Sequence, residues 1–275
     1  MQFRTIVDIP EPSWRLAPCD PMLFVGSCFA ENMARRFREE AFPVVANPHG
    51  VMYNPVSILH SIQKLPPCQV STVVLTLGTN HVYQLKETGE IVDNCEKRPS
   101  YLFEEKQLSI KQCVDSLIDS IGLLKEKFPS VRVLLTVSPI RYAKYGYHGS
   151  QLSKATLLIA VEEVIQQSKS LFPSNPVDYF PAYELVNDEL RDYRFYGTDM
   201  LHPSEQAVDY IWERLVDSYF SPEAKEYLRL WHPLKQALAH RPFHPENEAY
   251  QQFHANTMQK VEELKKKYPG MSLFK

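Results

Sequence analysis

Three short runs constrain this chain more than any other feature: "MLFVG" (22–26), "TVVLTL" (72–77) and "VRVLLTV" (131–137). Each is almost continuously apolar or β-branched, without the polar alternation of a strand wet on one face. Such strands need cover on both faces, as in a parallel sheet between helices. The segments between them have the period of helices. Phe29, Met33, Phe37 and Ala41 recur every four residues, with Arg35, Arg36, Glu39 and Glu40 between them, until Phe42-Pro43 ends the pattern. Residues 56–64, 109–128 and 152–172 read as helices. So does "HPSEQAVDYIWERLVDSYF", with Ala207, Ile211 and Leu215 on one face. "PVVA" (43–46) and "PVDYFPAYELV" (176–186) supply further strands. This alternation predicts an α/β fold, a doubly wound, flavodoxin-like parallel sheet. In such sheets ligands bind beyond the carboxyl ends of the strands.

The other segments read as attachments. Residues 1–21 form a polar, proline-rich lead-in, "NPHGVMYNP" a loop, and "VYQLKETGEIVDN" a hairpin around Thr88-Gly89. Residues 221–275 carry no strand signal. They read as two helices, roughly 222–240 and 245–268, split by "HRPFHP". We therefore expect an α/β domain over 1–220 and a C-terminal helical extension over 221–275. The apolar strip Leu228, Trp231, Leu234 and Leu238 must be buried, over the site or against another copy of the chain. Homo-oligomerisation through these helices is the expected protein contact.

Composition narrows the function. The chain has 275 residues, long enough for a real core, and 44% are hydrophobic. A net charge of −3 offers no electrostatic case for nucleic acid. No window has the apolar length of a membrane span, and "MQFRTIVDIPEPSW" lacks the pattern of a signal peptide. Five cysteines stand at irregular positions without a C-x-x-C, which fits a reduced, cytoplasmic protein. His240 and His244 have a zinc-like H-x-x-x-H spacing, but Pro242 between them breaks the helix it needs. We expect no metal and no cofactor.

Three segments fall at strand ends or helix starts: "GSC" (26–28), "GTN" (78–80) and "DMLH" (199–202). The first places nucleophiles Ser27 and Cys28 where backbone N–H groups can receive negative charge. Asn80 offers a side-chain N–H for an oxyanion. Asp199 and His202 are spaced so that a carboxylate can orient an imidazole acting as general base. Each also has a structural reading: a tight corner, a turn former and a helix-entry cap. His49, His81 and His148 could line a site or be satisfied loop histidines. Arg141, Tyr142 and Lys144, after the third strand, could meet an anionic substrate or simply solvent.

"FVGSC", "LGTN" and "DMLHPS" resemble the first, third and fifth blocks of the SGNH, or GDSL-type, hydrolases. Together with "NPHGVMYNP", "SPIRY" and "YFPAYELVNDELRDYRFYGTDMLHPS", the first block also resembles the GSCFA domain family of bacteria, across roughly residues 22–215. The resemblance implies an esterase or acyltransferase acting on an acyl ester, whether a small molecule or a glycan. His202 would be the base, Asp199 its orienter, and Asn80 and the Gly50 N–H oxyanion donors. His81 stands where the hydrolases carry an Asp. The ungapped match puts Cys28, not Ser27, at the nucleophile position. Cys28 also follows the strand-to-helix turn directly, where a helix N-terminus and a nearby imidazole lower a thiol's pKa. We therefore expect Cys28 to attack. The alternative reading is an inactive binding or scaffold protein that retains the fold.

Overall fold

The structure is a computed structural model that describes residues 4–93, 95, 98–175, 177–244 and 246–273. The lead-in's first three residues, Asn94, Pro176 and Pro245 lie outside the described residues. The order is β1 (Met22–Gly26), α1 (Cys28–Glu39), β2 (Val44–Ala46), α2 (Pro55–Gln63), β3 (Thr72–Leu77), β4 (His81–Leu85), β5 (Ile91–Val92), β6 (Phe103–Gln107) and α3 (Ile110–Lys127). Then follow β7 (Arg132–Val137), α4 (Gly146–Leu171), β8 (Val177–Tyr179), α5 (Ala182–Glu184) continuing as a π turn (Leu185–Leu190), α6 (Glu205–Tyr219), α7 (Pro222–Ala239) and α8 (Glu248–Lys267).

Five strands form a parallel sheet in the order β2-β1-β3-β7-β8. The apolar strands bury both faces because alternate side chains point to opposite sides. Met22, Phe24, Val74 and Leu134 face α1, α6, α7 and α8, whereas Leu23, Val25, Val73, Leu75, Val133 and Leu135 face α2, α3 and α4. Every residue of β1 and β3 is buried. Phe37 centres the first face, in ring contact with Phe24, Phe42, Trp212 and Phe220. No described helix is long and apolar enough to cross a membrane.

Two details differ from the sequence reading. The hairpin gains a third strand. β4 pairs antiparallel with both β5 and β6, whose exposed "EEKQ" shows no apolar pattern. Helix α4 begins at Gly146, not near 152, so His148 lies exposed in its first turn. The lead-in is strapped across the sheet's edge: buried Glu189 accepts from the Val7 N–H at 3.0 Å, and Leu16 pairs with Phe220.

The apolar strip of α7 is covered by its own chain. Trp231 and Tyr227 are buried in the α1 face of the core, with Leu228, Leu234 and Leu238 packed beside them. Trp231 Nε1 donates to Glu39 O at 3.2 Å, and the Tyr227 hydroxyl to Glu40 O at 2.8 Å. These bonds lie at the C-terminal end of α1, the end opposite Cys28. The strip therefore does not cover the candidate site. Truncation after Phe220 should uncover Phe42 and the α1 face, giving aggregated protein without a cooperative melt. A monodisperse truncate with wild-type melting would refute this account.

Candidate active site

The turn after β1 is the tightest point of the fold. Gly26 has φ +145, and a Cβ there would overlap the Thr76 carbonyl of β3, so only glycine fits. Its N–H donates to Asn47 Oδ1 at 2.9 Å. Ser27 is fully buried: its N–H donates to Thr76 Oγ1 at 2.9 Å, and its own hydroxyl lies 3.2 Å from Thr76 Oγ1 and accepts the Phe29 N–H at 3.3 Å. Ser27 is thus the N-cap of α1, a role that occupies its oxygen. Cys28 is the first residue of the helix and is half-buried, with Sγ 3.6 Å from the Tyr53 hydroxyl. Burial and the contact with Cys28 push the Tyr53 phenol up to about 12.

The loop Gly197–His202 turns the Asp-x-x-His spacing into a hydrogen-bonded pair. Asp199 Oδ2 accepts from His202 Nδ1 at 2.6 Å, while Oδ1 accepts the backbone N–H groups of His202 at 3.0 Å and Leu201 at 2.9 Å. These donors, led by the His202 backbone, hold the carboxyl down at about 2. Asp199 is therefore a carboxylate at neutral pH, and it engages His202 through Nδ1, so that Nε2 is not part of this bond. Met200 takes a left-handed φ of +59 to close the loop, and the Gly197 N–H donates to His202 O at 2.7 Å. Arg141 pins the loop from outside, its N–H to Leu201 O and Nη1 to Met200 O, both at 3.0 Å.

The sequence-derived oxyanion donors are engaged elsewhere. The Gly50 N–H donates to Asn47 O at 2.8 Å, closing the exposed turn that also carries His49. Asn80 Nδ2 donates to Leu108 O at 2.8 Å inside the fold, with the side chain buried. Among the described residues its Oδ1 has no hydrogen-bond partner, nor have His81 Nε2 and the Tyr142 hydroxyl. The Gly50 N–H is thus engaged, and Asn80 Nδ2 gives one of its two N–H groups to Leu108 O. The N–H at the start of α1, on Cys28, is the kind that has no intrahelical acceptor. No hydrogen bond joins Cys28 to His202.

His81 stacks on Tyr145 at 3.6 Å between ring centres and lies 3.1 Å from Glu105 through Nδ1. Burial lowers its pKa, against the pull of Glu105, and Lys144 reaches the same carboxylate at 2.7 Å. Tyr145, Tyr142 and Tyr53 continue from it as an aromatic wall that ends at Cys28. His240 caps the end of α7, and His244 pairs with Glu246 in the next loop.

Two residues of the site escaped the sequence reading. Tyr53 sits in a loop, where no periodicity marks it. Lys154 could have been found: it falls on the apolar face of α4 with Leu157, Val161 and Val164. It is fully buried, donating to Gly78 O at 2.6 Å and Ser138 O at 2.7 Å, and so ties the ends of β3 and β7. Burial pushes its ammonium from 10.5 down to about 7. Between those values the unfolded chain binds more protons than the folded one, so stability rises with pH. Urea unfolding should show wild type gaining on Lys154→Met from pH 7 to 9.5, by at most about 1.4 kcal/mol per pH unit. A constant difference across that range would mean Lys154 keeps an ordinary pKa.

Several solved structures are similar at a distance. A carbohydrate esterase family 3 protein from Talaromyces cellulolyticus is 12% identical, covering 78% of this chain and 99% of its own, with a TM-score of 0.46. A GDSL-like lipase from Bacteroides thetaiotaomicron is 14% identical, covering 72% and 86%, also with a TM-score of 0.46. Likenesses at this level carry no argument about chemistry. No curated protein matches the chain. Residues 231–275 match the C-terminal domain of GSCFA domain proteins. Residues 21–69 and 68–215 match the GSCFA family itself, so the chain belongs to that family.

Proposed function

We propose that this protein is an SGNH-type esterase or acyltransferase with Cys28 as nucleophile. The observation that carries the reading is the Asp199–His202 hydrogen bond at the same edge of a β2-β1-β3-β7-β8 sheet as the Cys28 turn. Fold alone would not support it, since one fold hosts many functions.

In this reading His202 Nε2 takes the Cys28 thiol proton and Sγ attacks the acyl carbonyl. Asp199 holds the imidazole through Nδ1 and stabilises the imidazolium. The N–H of Cys28 donates to the developing oxyanion. The tetrahedral intermediate collapses as His202 returns the proton to the leaving alcohol. Water or a second alcohol, deprotonated by His202, then attacks the thioester and releases Sγ. The His202–Cys28 contact forms in the substrate complex, as catalytic contacts that are long in free enzymes commonly do.

A non-catalytic binding role is favoured by one observation: Cys28 Sγ contacts the Tyr53 hydroxyl, not His202. Single substitutions separate the readings. On acyl esters and acetylated sugars, Cys28→Ala and His202→Ala should each lose turnover about a thousandfold. Ser27→Ala should retain turnover and lose about 1 kcal/mol of stability with its cap. An active Cys28→Ala beside a dead Ser27→Ala would make this a serine enzyme. If wild type turns over no ester and the turn alkylates no faster than in denatured protein, the binding role stands.

A further inference from the structure

Arg141 is fixed beside the Asp199–His202 loop without a carboxylate partner among the described residues. One Nη donates to Met200 O, and the guanidinium carbon lies 4.2 Å from the Tyr147 ring centre. Tyr196 and Tyr193 flank it at 5.3 and 6.0 Å. A guanidinium has five N–H donors, and one bond to Met200 leaves an edge suited to a bidentate oxyanion. That edge belongs to a cleft shared by Arg141, Gln151, Arg191, Tyr193 and Tyr196. Gln151 accepts the Tyr183 hydroxyl through Oε1, which leaves its NH₂ as donor.

The acids nearby have hydrogen-bond partners of their own, and none among the described residues pairs with Arg141. Asp199 accepts three N–H groups, and Asp192, which also lines the cleft, accepts the Arg194 N–H at 2.9 Å. Arg191 has only exposed Asp188, at 3.7 Å. The cleft thus offers two guanidiniums and an amide donor between tyrosine faces, with the Asp192 carboxylate on its wall, and Arg141 ties it to the loop between Asp199 and His202.

We propose that this cleft binds an anionic group of the substrate, a carboxylate or a phosphate, and so selects acyl esters that carry one. As a statement about substrate, this rests on the reading of Asp199 and His202 as the reacting pair. As a statement about binding, it does not. The tyrosines would take the apolar faces of the same substrate, and the arginines its charge.

The test is NMR titration of the full chain with inorganic phosphate, D-glucuronate and neutral methyl glucoside. At least one of the two anions should shift the resonances of the Gly197–His202 loop saturably, and the stronger one identifies the group. Affinity should fall at least tenfold in Arg191→Gln and in Arg141→Lys, and should weaken with added salt. Methyl glucoside should leave the loop unmoved. Binding of neither anion, equal binding by both variants and wild type, or methyl glucoside binding as tightly as glucuronate would each overturn the proposal. Cys28→Ala should bind the anion as wild type does. If Cys28→Ala binds normally and also turns over ester normally, the nucleophile assignment fails while the anion cleft stands.

Discussion

The contact of Gly26 with Thr76 sets the geometry that everything above the sheet depends on. β1 and β3 approach so closely there that no Cβ fits between them, and the backbone takes a φ open only to glycine. The Ser27 N–H then bonds to Thr76 and its hydroxyl caps α1, so strand, turn and helix are locked by one residue pair. Locking Ser27 inward leaves Cys28 as the side chain at the rim. The turn is thus a tight corner and a presenting device at once, since making the corner decides which side chain is presented.

Below the rim, two basic side chains hold loops through backbone carbonyls rather than carboxylates. Lys154 joins Gly78 O and Ser138 O, and Arg141 holds Met200 O. Carbonyl dipoles do not cancel the charge of a cation they accept from, and burial opposes that charge, which is why the Lys154 ammonium is pushed down to about 7. Arg141 brings a guanidinium to this edge although the whole chain carries −3. Net charge describes the whole surface and says little about the field at one edge.

The C-terminal helices act at a distance from this edge. Their aromatic residues finish the α1 face of the core and bond the last carbonyls of α1, near Glu39 and Glu40. They steady the helix whose first residue is Cys28 by holding its far end. α7 and α8 thus share one core with the sheet.

Local pattern was enough for the parts of this protein that local physics controls. The apolar runs of β1, β3 and β7 determine strands covered on both faces, and the four-residue period from Phe29 determines α1, because burial and backbone geometry impose those periods. The Asp-x-x-His spacing determines a reach that the 2.6 Å hydrogen bond uses. Partners far apart in the chain were not legible. Whether Asn80 and Gly50 donate outward or into the fold depended on Leu108 and Asn47. That Tyr53 meets Cys28, that Lys154 donates to two carbonyls, and that β6 joins the hairpin emerged only when distant segments packed. The physical reason is that hydrogen-bond partners and desolvation are properties of a folded neighbourhood, and periodicity does not encode them. The tertiary structure alone therefore decided which donors stayed free at the sheet's edge.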